Sequence, residues 1–151
     1  MTTGEVEVRQ ATVADLDRVV PLFDAYRQFY RLPSEPERAR RFLRERFEHD
    51  QSVIFLAFHE AAAVGFTQLY PSFSSGAMAR IFILNDLFVS PEARRRGTGS
   101  ALLGAAAGYG RRSGALRLVL STEIANIAAQ SVYGKLGWKR DTVFCVYQLA
   151  L

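Results

Sequence analysis

The sequence predicts one domain of the α/β (α+β) class, a mixed sheet with helices on its faces. Three observations carry this reading. Apolar residues at helical spacing fill the first third, and from Val53 onward they give way to strand-like runs broken by turn residues. Two of those runs lie close enough to form a hairpin, which needs no long crossover. Further on, an apolar strand runs into a glycine-bearing turn that opens a helix.

Val6 and Val8 alternate with Glu5, Glu7 and Arg9, which predicts the first strand. Thr12 or Asp15 caps a helix carrying Leu16, Val19, Val20, Phe23, Tyr26 and Tyr30, with Pro21 as a kink or break. Ser34 with Glu37 fits a capping box and Pro36 suits the first turn of a helix that buries Ala39, Phe42, Leu43 and Phe47. Val53 to Phe58 and Val64 to Tyr70 are strands around the turn Glu60-Ala61-Ala62. Pro71 to Ala79 reads as a loop and Arg80 to Val89 as a long apolar strand. Gly97 to Arg112 is helical, Leu116 to Ser121 a strand and Ile127 to Leu136 a helix. Trp138 to Leu149 closes with one or two strands. The order is β-α-α-β-β-β-α-β-α-β(β).

At 151 residues, 49% apolar and 23% charged, the chain is long and apolar enough to bury a core, which excludes a disordered class. No apolar run reaches the roughly 18 to 20 residues of a membrane span, and Met1 to Gln10 lacks the apolar stretch of a secretory signal. Cys145 is the only cysteine, so no internal disulfide forms, and a cytoplasmic location is expected. The net charge is +4, and arginine supplies 17 of the 19 basic residues. They fall into separate clusters. Arg38, Arg40, Arg41, Arg44 and Arg46 read as the solvated face of a helix, whereas Arg94, Arg95 and Arg96 open one. The second cluster favours a small phosphorylated ligand over nucleic acid. No metal site is expected.

In the segment Leu84 to Leu103 the strand passes through a short turn into Gly97-Thr98-Gly99-Ser100 at the head of a helix. A helix N-terminus offers unpaired N–H groups and partial positive charge, so it binds phosphate oxygens. Gly97 and Gly99 leave those N–H groups approachable, and the arginines add bidentate donors. A glycine turn with solvated arginines is the plain alternative. A dinucleotide fingerprint fails because Leu102 stands at the third glycine position, and a P-loop fails for want of Gly-Lys-Ser/Thr.

Arg94-x-x-Gly97-x-Gly99 after the strand Leu84 to Val89 resembles the R/Q-x-x-G-x-G/A signature of the GNAT N-acetyltransferase superfamily, and the element order extends the likeness to nearly the whole chain. LNDLFV, LYPSFSS and AQSVYGKLGW further resemble the small histone, polyamine and diamine-type amine acetyltransferases. The resemblance implies a mostly antiparallel sheet of six to seven strands flanked by about four helices and splayed at a bulge in the fourth strand. It implies acetyl-CoA as donor, with its pyrophosphate on the N–H groups of Arg95 to Ser100. The backbone of Leu87, Phe88 and Val89 would pair with the pantetheine arm and donate to the thioester carbonyl.

Acetyl transfer to an amine moves two protons, one off the nucleophile and one onto the departing thiolate. Asn126, Gln130 and Tyr133 share one face at the start of the last helix. A phenol, with pKa about 10, can feasibly protonate a thiolate of roughly 8.5. The resemblance makes Tyr133 the general acid and sets Asn126 against the pantetheine; simple packing by Tyr133 and capping by Asn126 are the alternatives. Asp86 is the expected base or the end of a water relay, because a carboxylate in an apolar strand is costly unless paired or used. A structural acceptor is the other role open to it. Diamine acetyltransferases resembling this chain carry glutamate where Asn85 stands, and Asn85 takes no proton. Glu123 is a second candidate.

The acceptor pocket is expected between the first two helices and the loop after the third strand. Tyr26, Phe29, Tyr30, Tyr70 and Phe73 would supply aromatic faces there, and Asp24 and Glu35 negative charge for a cationic amine. At least two of the three aromatics in Tyr26 to Tyr30 read as an amphipathic core stripe instead. The expected partner is a small amine or a lysine-bearing substrate, and the apolar strand Phe144 to Leu151 offers an edge for a homodimer. The rival from another class is a non-catalytic acyl-CoA sensor on the same fold.

Overall fold

The computed structural model describes residues 4–151; residues 1–3, part of the N-terminal segment considered above, lie outside them. The chain forms two compact units, one ending at Ser121 and the other spanning Thr122–Leu151. The first unit runs β1 (Val6–Gln10), a 3-10 turn (Val13–Asp15), α1 (Leu16–Phe29), α2 (Pro36–Glu48), β2 (Val53–His59), β3 (Ala62–Ser74) and β4 (Ala79–Val89). A second 3-10 turn (Pro91–Ala93), α3 (Thr98–Arg112) and β5 (Leu118–Val119) complete it. The second unit contains α4 (Ile127–Lys135).

The fold is the expected mixed, mostly antiparallel one, with five strands in sequence order among the described residues rather than six to seven. β1 to β4 pair antiparallel, and β5 joins β4 in parallel through only Phe82↔Leu118 and Ile83↔Val119. Both faces of the sheet are covered, so β2 is buried at every residue from Ile54 to Phe58. Ile54, Leu56, Phe66 and Phe88 pack with α1 and α2 through Val19, Val20, Phe23 and Leu43. Phe55, Ala57 and Val64 pack with α3 through Leu102, alongside Leu87 and Val89. Each such side chain contributes about 1.5 to 3 kcal/mol of burial.

Four expectations need correction. Residues 71 to 79 are not a loop: β3 continues to Ser74 and pairs Phe73↔Arg80 and Ser74↔Ala79. Pro71 is tolerated because the β2 ladder has ended at Val53↔Leu69, so its missing N–H falls on an open edge. The strand Leu116 to Ser121 shrinks to two residues. Trp138 to Leu149 carries no strand among the described residues. There the Asp141 carboxylate accepts from the N–H groups of Val143 and Phe144, a local bond that competes with a ladder. The edge offered by Phe144 to Leu151 is absent with it. The Ser34–Glu37 capping box gives way to another pattern: Glu35 is the N-cap of α2, and the Ser34 hydroxyl donates to Asp24 at 2.6 Å.

Candidate active site

The turn between β4 and α3 is built to leave its amides free. Gly97 caps α3 at φ +78° and Arg95 lies at φ +63°, two left-handed residues that turn neighbouring N–H groups toward one concave side. None of the N–H groups of residues 95 to 100 makes a hydrogen bond among the described residues; the first one used is that of Ala101, on the Gly97 carbonyl at 2.9 Å. Space above them is open. A Cβ at Gly97 would meet nothing within 4 Å, and one at Gly99 only a Val89 methyl at 4.0 Å.

Two side chains brace the turn. The buried Thr98 hydroxyl donates to the Ala93 carbonyl at 3.2 Å, and Arg94 Nε donates to the Val89 carbonyl at 2.9 Å. The Arg94 guanidinium also stands over the rings of Phe29 and Phe88. Arg95 and Arg96 are exposed. Six free amides, two glycines with open surroundings and exposed arginines fit a diphosphate.

β4 supplies a second free backbone edge. Ser90 N donates to Val64 O at 2.8 Å, which fixes the phase of the β3–β4 ladder. In that phase the N–H groups of Asp86 and Phe88 point at β3, and those of Leu87 and Val89 point the other way. β5 reaches only Ile83, so no ladder covers that edge from Leu84 to Val89 among the described residues. The expected bulge is present. Asp86 pairs with Gln68 and Leu84 with Leu69, which leaves Asn85 as the extra residue.

On the face of β3 and β4 that packs against α1 lies a buried polar cluster. Asp86 is 2% exposed and Gln68 is fully buried. Asp86 Oδ1 accepts from Asn85 Nδ2 at 2.8 Å and Oδ2 from Gln68 Nε2 at 2.5 Å. Burial pushes the Asp86 carboxyl above the usual carboxylate range, while donation from Asn85, Gln68 and Tyr26 pulls it back. The Tyr26 hydroxyl donates to the Asn85 carbonyl at 3.2 Å. Burial and the Asp86 charge raise the phenols of Tyr26 and Tyr70, so both stay neutral donors.

The structure therefore gathers Asp86, Asn85, Tyr26 and Tyr70, with Tyr30 edge-on to Tyr26 at 5.1 Å. Phe73 lies farther along the hairpin, 68% exposed beneath the Arg80 guanidinium. Phe29 meets Tyr30 edge-on at 5.3 Å. Asp24 and Glu35 are both engaged by partners on α1, α2 and the connection between them. Asp24 accepts from the Ser34 hydroxyl and the Glu35 N–H, and Glu35 pairs with Arg27 at 2.9 Å and with Arg38, so both carboxylates lash α1 to α2. Gln68 is the residue that sequence reasoning missed. Its signal was a glutamine inside the apolar run VGFTQLY.

The remaining expected residues belong to the second unit. Asn126 caps α4 by accepting from Ala129 N at 3.2 Å. Gln130 Nε2 donates to the carbonyls of Ile124, at 2.9 Å, and Glu123. The half-buried Tyr133 ring lies 6.0 Å from that of Trp138. Among the described residues no group of three or more His, Cys, Asp or Glu is placed to hold a metal ion, and no helix is long and apolar enough to cross a membrane.

Comparison with known proteins identifies a family. Residues 19–138 match the family described as Acetyltransferase (GNAT) family, a match that spans both units. The chain is 47% identical over 144 residues to an uncharacterized N-acetyltransferase, YhfO, of Bacillus subtilis, covering 95% of this chain and 97% of the relative. A crystal structure of a probable acetyltransferase superposes with TM-score 0.91 at 43% identity, covering 96% of this chain and 97% of that one. An aminoglycoside N-acetyltransferase solved in complex with CoA shares the fold at TM-score 0.82 and 20% identity, covering 98% and 97%.

Proposed function

The chain belongs to the acetyltransferase (GNAT) family, and from that membership we propose that it moves an acetyl group from acetyl-CoA to a primary amine by direct attack in a ternary complex. One observation carries the reading: the N–H groups of residues 95 to 100 are unspent and open to a diphosphate. The CoA complex of the aminoglycoside N-acetyltransferase supports the donor by analogy of fold.

Bound acetyl-CoA would supply an activated acyl carbon. The chain's own residues do the remaining work in this proposal. The amides of Arg95 to Ser100 hold the diphosphate, with Arg95 and Arg96 adding charge. The outward N–H groups of Leu87 and Val89 receive the pantetheine arm and the carbonyl oxygen. Asp86 takes the proton that the amine must lose, directly or through water, and its raised pKa makes it a stronger base than a free carboxylate. Tyr133 gives a proton to the departing sulfur. Tyr26, Tyr30 and Tyr70 offer aromatic faces and neutral hydroxyls to the amine.

A thiol-release assay with a panel of polyamines, amino acids, aminoglycosides and lysine peptides tests this. Release of CoA that depends on one class of primary amine is the expected result. Tight binding of acetyl-CoA with no release for any amine would replace the enzyme reading with that of an acyl-CoA sensor.

A further inference from the structure

Gln68 occupies a place where an apolar side chain would serve stability better. It is fully buried between Thr67 and Leu69 in the central strand, on the sheet face that also carries Phe66 and Phe88. Its Nε2 is spent on Asp86, and its Oε1 has no hydrogen-bond partner among the described residues. A buried acceptor left unmet is destabilising, and such groups are rare in native proteins unless something else keeps them. Reversing the amide would set Oε1 against a carboxylate oxygen 2.5 Å away, so the present orientation is the one an ionised Asp86 selects.

Asn85 completes the arrangement from the other side. The bulge makes it the extra residue of β4, and its Nδ2 reaches Asp86 Oδ1 at 2.8 Å. Each carboxylate oxygen thus holds one side-chain amide donor, and the Tyr26 hydroxyl stands by as a further donor to the same carboxylate.

We propose that Gln68 is a positioning residue for Asp86: with Asn85 it clamps the carboxylate from both sides, holding it ionised and aimed. The role rests on the reading of Asp86 as the base. The groups that face the clamp are Tyr26 from α1 and Tyr70 from β3, with Arg46 of α2 acting on Tyr70. The two phenols are neutral throughout the working range, so only Asp86 titrates there.

The test compares Gln68→Met, Asp86→Asn and the double variant. Removing one amide donor from the carboxylate raises its pKa, so the acid limb of kcat/KM in Gln68→Met moves up by about one pH unit. In the Asp86→Asn background the same substitution leaves kcat/KM unchanged within twofold, because its effect passes through Asp86. An unshifted limb, or a Gln68→Met loss that persists in full without the carboxylate, would overturn the proposal. Titration of the Asp86 carboxyl carbon by NMR in the protein without substrate reads the same upward shift. It separates failure of the clamp from failure of the enzymatic reading, since it needs no turnover. Thermal melts of each variant check folding.

Discussion

Arg9 and Asp15 meet through two parallel hydrogen bonds, Nη2 to Oδ1 at 2.7 Å and Nη1 to Oδ2 at 2.9 Å, which fasten the end of β1 to the head of α1. The Thr12 N–H adds a third donor at 2.9 Å. Led by the Arg9 hydrogen bond, these donors hold the Asp15 carboxyl down at about 2.

Because the folded pKa lies below the ordinary 3.8, Asp15 contributes stability that is fully present above about pH 4 and is lost as pH falls toward 2. The gap of nearly two pH units is worth about 2 kcal/mol. Asp15→Asn is expected to lose about that much at pH 7 in urea denaturation and to converge on the parent only as pH falls below about 2. A difference that stays constant across that range would refute the assignment.

At Gly65, β3 passes close to β4 and α3. A Cβ there would stand 2.9 Å from the Phe88 carbonyl oxygen and 3.2 Å from a Leu102 methyl. Since the nearest atom is backbone, Gly65→Ala is expected to cost about 1 to 3 kcal/mol and lower the melting temperature by several degrees. An unchanged melt would show that the two strands part easily at this point.

Gly99 has the opposite surroundings, with open space over free amides. Gly99→Val is expected to keep the melting temperature within a few degrees while weakening CoA binding at least tenfold, as read by isothermal titration. Undiminished affinity would place the diphosphate elsewhere.

Tyr133→Phe keeps the ring beside Trp138 and removes the hydroxyl. The loss expected for a general acid is about 10²- to 10⁴-fold in kcat, with little change in the KM for acetyl-CoA. Full turnover would leave Tyr133 a packing residue.

Much of the architecture was legible because local signals were strong. The hairpin and the helix opened by Gly97 each follow from a short stretch of chain, whereas the bulge was implied by the family resemblance and only the register places it at Asn85. What escaped depended on distant partners. Pro71 looked like a loop signal until the end of the β2 ladder made its missing N–H harmless. Ser34 fitted a capping box, yet Asp24, ten residues away, claims its hydroxyl. The apolar rhythm of Trp138 to Leu149 promised a strand, but rhythm alone supplies no neighbour to pair with. Gln68 stands out as a polar residue in an apolar run, but its meaning lies in Asp86 on the adjacent strand, eighteen positions later.

The uncovered flank of β4 has a consequence for how such a protein tolerates drift. A grip made by main-chain N–H groups belongs to no particular side chain, so the identities of Leu87 and Val89 answer only to the interior packed beneath them. Under the proposed function, exchange among apolar residues of similar bulk would leave the donor's handhold untouched. Proline alone, which brings no hydrogen on its nitrogen, would erase it at a stroke.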